Sequence, residues 1–193
     1  MAEEVLLSRS VVWVPAHTTG IEHLTVETDY EGVRARSVVI TVDDERAMRL
    51  DYNIVCDTEY RVRKARLFVE GGRILHLLAD GEGTWTDWAG MPIPALDGCI
   101  DIDISATPFT NTLPIRRLEW SVGQSKVLRM AYVEVPTLTL SVEEQRYTCL
   151  EQSADGALFR FESLDGGFTA DLPVDAEGLV KDYPGLFRRL SPL

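Results

Sequence analysis

The residues best able to do chemistry lie between positions 96 and 118. The stretch reads Leu96-Asp-Gly-Cys-Ile-Asp-Ile-Asp-Ile-Ser-Ala-Thr-Pro-Phe-Thr-Asn-Thr-Leu-Pro-Ile-Arg-Arg-Leu118. Read as a strand, it points Ile100, Ile102 and Ile104 one way and Asp101 and Asp103 the other. The two carboxylates then sit on one face, roughly 7 Å apart. At that range two ionised carboxylates repel unless a cation or donors lie between them. Arg116 and Arg117 are the cations at hand. In a strand Arg116 shares parity with Leu118 and Trp120 and projects inward, whereas Arg117 sides with Glu119 and Ser121. A guanidinium in an apolar interior needs a partner, either these aspartates or an anionic or hydroxylated ligand head. Thr107-Pro108 and Leu113-Pro114 bend the connection, and Asn111 can hydrogen-bond backbone there.

Asp101, Asp103, Asn111 and Arg116 therefore form a rigidifying polar cluster or the polar floor of a ligand pocket. A third reading makes Asp101 and Asp103 the acid and base of a hydrolase acting on a sugar or ester. Glycosidase carboxyls stand ~5–5.5 Å or ~6.5–9.5 Å apart, which this spacing permits. Nothing else in the chain supports catalysis. There is no G-x-S-x-G elbow, HExxH, P-loop or dinucleotide fingerprint, and no catalytic residue is assigned. His17, His23 and His76 lack metal-ligand spacing. Cys56, Cys99 and Cys149 are odd in number and widely spaced, against a zinc site or a disulfide framework. They read as small buried apolar residues. His76, within Ile74-Leu75-His76-Leu77-Leu78, reads as a satisfied, buried or half-buried side chain, and His23 as surface or cavity rim. No metal and no cofactor is expected.

Three further places carry candidates. Arg61 and Arg63 share strand parity with Ala65, Leu67 and Val69. They are either an exposed strand end with acidic cross-strand partners or a basic patch at a pocket mouth. Glu22 falls on the Leu24/Val26 face and is similarly ambiguous. Between Asp80 and Asp97, glycines and prolines punctuate a long loop holding Trp85 and Trp88. The tryptophans either plug the core edge or line a functional loop.

The elements that must position these residues are strands. His23–Thr28 alternates, Val33–Val42 is β-branched, and Leu50–Cys56 and Tyr60–Glu70 follow. Gly71-Gly72 and Gly166-Gly167 mark hairpins, and Asp43-Asp44-Glu45 reads as a turn. Further strands are predicted at Arg73–Ala79, Cys99–Ile104, Ile115–Val122, Val127–Val135, Leu138–Val142, Gln145–Glu151, Leu158–Ser163 and Phe168–Val174. Short helices are possible only at Asp43–Leu50 and at Pro184–Leu190, where proline occupies the first position. The expectation is one all-β domain over residues 1–193, mainly antiparallel, barrel-like or a highly curved sheet of about a dozen strands. A barrel of that size encloses a cavity.

Composition narrows the partners. The chain has 193 residues, 45% hydrophobic and 26% charged, with 19 Lys and Arg against 31 Asp and Glu for a net charge of −12. That balance argues against phosphate-held nucleic acid and against electrostatic docking to anionic lipid. The N-terminus, Met-Ala-Glu-Glu-Val-Leu-Leu, lacks a basic n-region, and no apolar run approaches a spanning helix. A cytoplasmic protein with no integral membrane association is expected.

The sequence resembles the bacterial glycolipid-binding family. The resemblance rests on Gly20-Ile-Glu22-His-Leu24, Tyr52-Asn-Ile-Val-Cys-Asp57, Gly83-Thr-Trp85 and the block Gly98-Cys-Ile-Asp-Ile-Asp103 to Thr107-Pro-Phe-Thr-Asn-Thr-Leu-Pro-Ile-Arg-Arg-Leu118. Gln145-Arg-Tyr147, Phe168-Thr-Ala-Asp-Leu, Val174-Asp175 and Gly178-Leu-Val-Lys-Asp-Tyr-Pro-Gly185 extend it along nearly the whole chain. The resemblance implies a barrel-like fold similar to periplasmic lipoprotein carriers, which hold acyl chains in an open barrel. It brings no catalytic residues. The partner it implies is an amphiphilic small molecule, a glycolipid or lipid. Trp85 or Trp88 would then cover the acyl part, and Arg116, Asp101, Asp103 and Asn111 would orient the head. A structural or interaction protein with a filled interior is the remaining alternative.

Overall fold

The computed structural model describes residues 5–43 and 46–190. The first sheet contains β1 (Leu7–Pro15), β2 (Thr19–Thr28), β3 (Val33–Asp43), β4 (Arg46–Cys56), β5 (Val62–Val69), β6 (Arg73–Ala79) and β7 (Trp85–Asp87). The second contains β8 (Asp101–Ile104), β9 (Ser125–Glu134), β10 (Thr139–Ser153), β11 (Gly156–Ser163) and β12 (Thr169–Asp175). The chain then returns to the first sheet with β13 (Asp182–Tyr183) and β14 (Phe187–Leu190). The nine-stranded order is β13-β14-β1-β2-β3-β4-β5-β6-β7, and the five-stranded order is β12-β11-β10-β9-β8. The strand pairings are antiparallel except β8 with β9, which run parallel.

The protein is all-β and mostly antiparallel, as expected, but it is two sheets rather than one closed barrel. The sheets meet at one seam, where Val174 bridges Val180 and the Lys181 amide donates to Pro173 at 2.8 Å. At the far ends the edge strands β7 and β8 are not paired with each other. There Trp85 Nε1 donates to the Cys99 carbonyl at 2.6 Å and fastens one edge region to the other.

Alternation puts one face of each strand inside. Glu22, Leu24, Val33, Ala35, Ser37, Val39, Leu50, Tyr52 and Ile54 point in, while Arg34, Arg36, Val38 and Ile40 point out. The interior is filled. Trp13, Leu24, Leu50, Leu67, Trp85 and Phe109 are at most 1% exposed and belong to one core cluster. The hollow barrel interior suggested by strand number is therefore not what the structure shows. Its depressions open to the surface.

Three local expectations change. The predicted strand Ile115–Val122 begins instead as a six-residue helix, α1 (Thr112–Arg117), after a 3-10 turn at Phe109–Asn111. Thr107 Oγ1 accepts the Phe109 amide at 3.0 Å and starts this winding. Pro114 lies in the first turn of α1, where a missing N–H costs nothing. The predicted helix at Pro184–Leu190 is instead the β13–β14 hairpin, turning at Gly185 with φ +78. The possible helix Asp43–Leu50 gives way to β4 from Arg46, and the predicted turn falls on residues 44–45, outside the described residues.

Candidate functional site

Residues 107–117 fill the space between the two sheets, and polar side chains anchor both ends. On the nine-stranded side, Glu22 Oε1 accepts from Ser37 Oγ at 2.8 Å, Tyr52 OH at 2.6 Å and Thr107 Oγ1 at 2.8 Å. Neighbouring strands β2, β3 and β4 supply Glu22, Ser37 and Tyr52, so the cluster follows from register. Glu22 Oε2 is buried and has no partner among the described residues. Burial pushes the Glu22 carboxyl up to about 7 despite the three donors. No charged group enters that balance.

On the five-stranded side, Arg117 grips Asp101 with two parallel bonds, Nε to Oδ1 at 3.0 Å and the terminal nitrogen to Oδ2 at 2.6 Å. Asp101 is 1% exposed. Burial raises its pKa and Arg117 opposes the rise. Among the described residues Asp103 pairs with no cation. Thr110 Oγ1 donates to its Oδ1 and Gln145 Nε2 to its Oδ2, both at 2.7 Å. Desolvation raises its pKa as well. Tyr147 OH donates to Asn111 Oδ1 at 2.9 Å, and Asn111 Nδ2 donates to the Pro108 carbonyl at 3.1 Å. Every carboxylate oxygen of Asp101 and Asp103 thus accepts a bond from the chain. The structure brings Asp101, Asp103 and Asn111 into one network, and that network reads as scaffolding.

Arg116 does not join it. The strand parity that aimed Arg116 inward and Arg117 outward fails because the segment is helical. Successive residues there turn by about 100° rather than 180°. Arg116 emerges at the surface, its guanidinium 5.3 Å over the Tyr60 ring. Its terminal nitrogen also reaches the Ala176 carbonyl at 3.4 Å.

Two depressions meet at Arg116. One is a trough of about 490 Å³ lined by Ile115, Arg116, Glu119, Trp120, Gln152 and Ser153 among others. Trp120 packs edge-on against Phe159 at 5.1 Å and carries Lys126 over its ring at 5.1 Å. The other is a narrow slot of about 40 Å³ between Leu7, Val26, Tyr60, Phe109, Leu179 and Arg116, with Arg9 and Glu177 also on its wall. Phe109 stacks on Tyr52 at 6.5 Å, which places Tyr52 behind that wall. Tyr60 holds a left-handed backbone, φ +62. Asp57 enforces it by accepting the Glu59 and Arg61 amides, each at 3.0 Å. A bulky side chain in that region costs about 1–2 kcal/mol, and such strain gathers at functional sites.

The remaining candidates fall elsewhere. Arg61 pairs with Glu59 at 3.0 Å and Glu82 at 2.8 Å, and Arg63 approaches Asp57 at 3.9 Å. Both are exposed or half-exposed, not inward with Ala65 and Leu67. The β4–β5 ladder pairs Val55 with Lys64 but Cys56 with Val62, so Arg63 is skipped and parity flips. Trp85 is fully buried in the core edge, and Trp88 is 74% exposed. Glu22 does not line the slot or the trough. His23 is exposed and bonds Ser10 Oγ at 2.7 Å. His76 is half-buried as expected, but its Nε2 has no partner among the described residues. The cysteines are free and buried. Thr110, Gln145, Tyr60 and Leu179 were not singled out from sequence, although Thr110, Gln145 and Leu179 lay in quoted motifs, and Arg117 was weighed only as the outward-facing cation.

The comparisons agree with this architecture. A protein of the DUF1089 family from Pseudomonas aeruginosa, solved by crystallography, is 42% identical, covers 88% of this chain and 92% of its own, and superposes with TM-score 0.77. A beta-barrel-like protein of unknown function from Brucella abortus, of the DUF1849 domain type, is 12% identical over 97% of this chain and 96% of its own, with TM-score 0.54. The second likeness is of fold alone. No curated protein matches the chain. The sequence profile of the family described as "Putative glycolipid-binding" matches residues 10–189, and the chain belongs to that family.

Proposed function

We propose that this protein binds a small amphiphile whose hydroxylated head, such as the sugar of a glycolipid, rests in the Arg116–Trp120 trough. The first apolar atoms of its tail enter the slot between Phe109 and Leu179. One observation carries the reading. Arg116 lines both depressions and so stands where a polar head would meet an apolar tail. The trough falls within the roughly 300–1,000 Å³ of small-molecule sites, and the slot is far smaller. Trp120 offers an aromatic face, and Arg116, Glu119, Gln152 and Ser153 offer polar groups around it. The family's description supports a glycolipid as the ligand class. The free cysteines support a reducing, cytoplasmic setting. The hydrolase alternative finds no support in a pair of aspartates whose oxygens are already engaged.

Native mass spectrometry of protein purified without detergent tests this. A bound amphiphile is expected on the wild type and lost from Arg116→Glu, an exposed position where folding is not at stake. At 100 times its Kd an added alkyl glycoside should stabilise the fold by about 2.7 kcal/mol. No bound lipid and no thermal shift with any amphiphile would contradict the reading.

A further inference from the structure

The outer face of the nine-stranded sheet carries a charge opposite to that of the whole chain. Register places Ser10, Thr25, Arg36, Asn53, Arg66 and His76 in one cross-strand row. The next row toward β7 runs through Glu27, Arg34, Val55, Lys64 and Leu78. Among the described residues, Arg34, Arg36, Arg49, Lys64, Arg66 and Arg188 on this face stand against Glu27, Asp51, Glu70 and Asp182, a surplus of two cations in a chain of net charge −12. Arg36 is spent on Glu27 and Arg49 on Asp51. The side chains of Lys64 and Arg66 have neither a hydrogen bond nor an ion pair among the described residues. A shallow trough of about 460 Å³ crosses the face between Arg36, Asp51, Asn53, Arg66 and Phe68.

The same face exposes apolar side chains. Ile21 and Ile40 are register partners, each 43% exposed, with Val42 beside them. Ile74, 59% exposed, lies across from Phe68. Trp88 stacks on His76 at 6.1 Å and stays open to solvent. Cation rows and apolar rows are roughly 7 Å apart along the strands. The mixture matches the boundary between lipid headgroups and acyl chains, where Lys and Arg meet phosphates and aromatic and branched residues enter the apolar edge.

We infer that this sheet face docks the protein on an anionic phospholipid surface. The inference rests on the amphiphile reading, since a carrier must meet the membrane that holds its ligand. No helix among the described residues is long and apolar enough to cross a membrane, and the proposed contact is a peripheral one. A second copy of the same face would set cations against cations. A nucleic-acid duplex would use the cations and leave the isoleucines and Trp88 without a role. The surface fits bilayer phosphates better than either.

Vesicle flotation decides it, using phosphatidylcholine vesicles with and without phosphatidylglycerol. The protein should float with the anionic vesicles and not with the neutral ones. The double variant Lys64→Glu/Arg66→Glu should weaken that binding by about tenfold or more, at roughly 1 kcal/mol per cation near the surface. Ile74→Ser/Trp88→Ser should weaken it with the cations intact. Binding that ignores phosphatidylglycerol, or survives charge reversal, overturns the inference. So does a stable dimer or a nucleic-acid complex that buries these residues. A protein that takes up an alkyl glycoside in solution but ignores vesicles loses only the docking face. One that docks but never holds an amphiphile loses the slot.

Discussion

Thr107 donates its hydroxyl to Glu22 Oε1 at 2.8 Å across 85 residues of chain. That bond ties the segment between the sheets to the nine-stranded wall. The carboxyl that receives it has a pKa raised by burial from 4.5 to about 7. The folded state therefore holds the Glu22 proton more tightly than the unfolded chain does.

The pH dependence follows with a definite sign. Glu22's contribution is fully present below its unfolded pKa and is lost as pH rises from 4.5 through about 7. The loss is about 3 kcal/mol. Urea melts at about pH 5 and about pH 8 should show the wild type weaker at the higher pH. Glu22→Gln, neutral throughout, should show much less of that difference. Equal pH dependence in both proteins would contradict the assignment.

Asp101 and Arg117 behave as a unit. Asp101→Asn leaves a guanidinium only 11% exposed without its carboxylate. The expected loss is about 3–5 kcal/mol in denaturant unfolding. Asp101→Asn/Arg117→Met should recover much of it by removing the stranded charge. A double variant no more stable than the single one would refute the pairing.

Gly178 sits directly against Arg116. At φ +77, an added Cβ would lie 2.9 Å from Arg116 Cδ and 3.1 Å from Cγ. Gly178→Ala should push Arg116 aside and weaken alkyl-glycoside binding severalfold, at a backbone cost of about 1–2 kcal/mol. Gly167→Ala is the control. Its φ is +65, and nothing lies within 4 Å of the new Cβ. It should carry a similar backbone cost and leave binding unchanged. Equal affinity in both variants means Arg116 does not contact the ligand.

Tyr60 separates stability from binding. Tyr60→Asn places a residue that tolerates φ near +62 and removes the ring beneath Arg116. Melting should show a loss of about 1–2 kcal/mol, since relieved strain only partly offsets the lost cation–π contact of about 0.5–1 kcal/mol and the apolar packing of the half-buried ring. Amphiphile affinity should fall clearly. Unchanged affinity would make the strained loop structural only.

What was legible in the sequence was whatever depends on period two. Alternation in β2 and β3 put Leu24 and Val26 on one face with Glu22, and the structure buries Glu22 there. Gly71-Gly72 marked the β5–β6 turn, where both glycines have positive φ. The polar network of Asp101, Asp103 and Asn111 was visible as a group, but not its true cation. A helix of six residues has too little length to show a 3.6 period, so Arg116 and Arg117 exchanged roles. One skipped residue in β5 reversed the facing of Arg63, and a bulge leaves no mark in a hydrophobic pattern. The filled interior was also hidden, because strand number fixes a circumference and not what residues 107–117 do inside it. Tyr60 gave no signal, since its backbone state is imposed by Asp57.

The central claim is that an amphiphile binds where Arg116 divides the trough from the slot. The most direct measurement is a titration of methyl-labelled protein with an alkyl glucoside below its micelle concentration, followed by NMR. The account predicts saturable shifts at Leu7, Val26 and Leu179 together with the Trp120 indole, abolished by Arg116→Glu. Saturable shifts confined to other residues, or none at all, would contradict it.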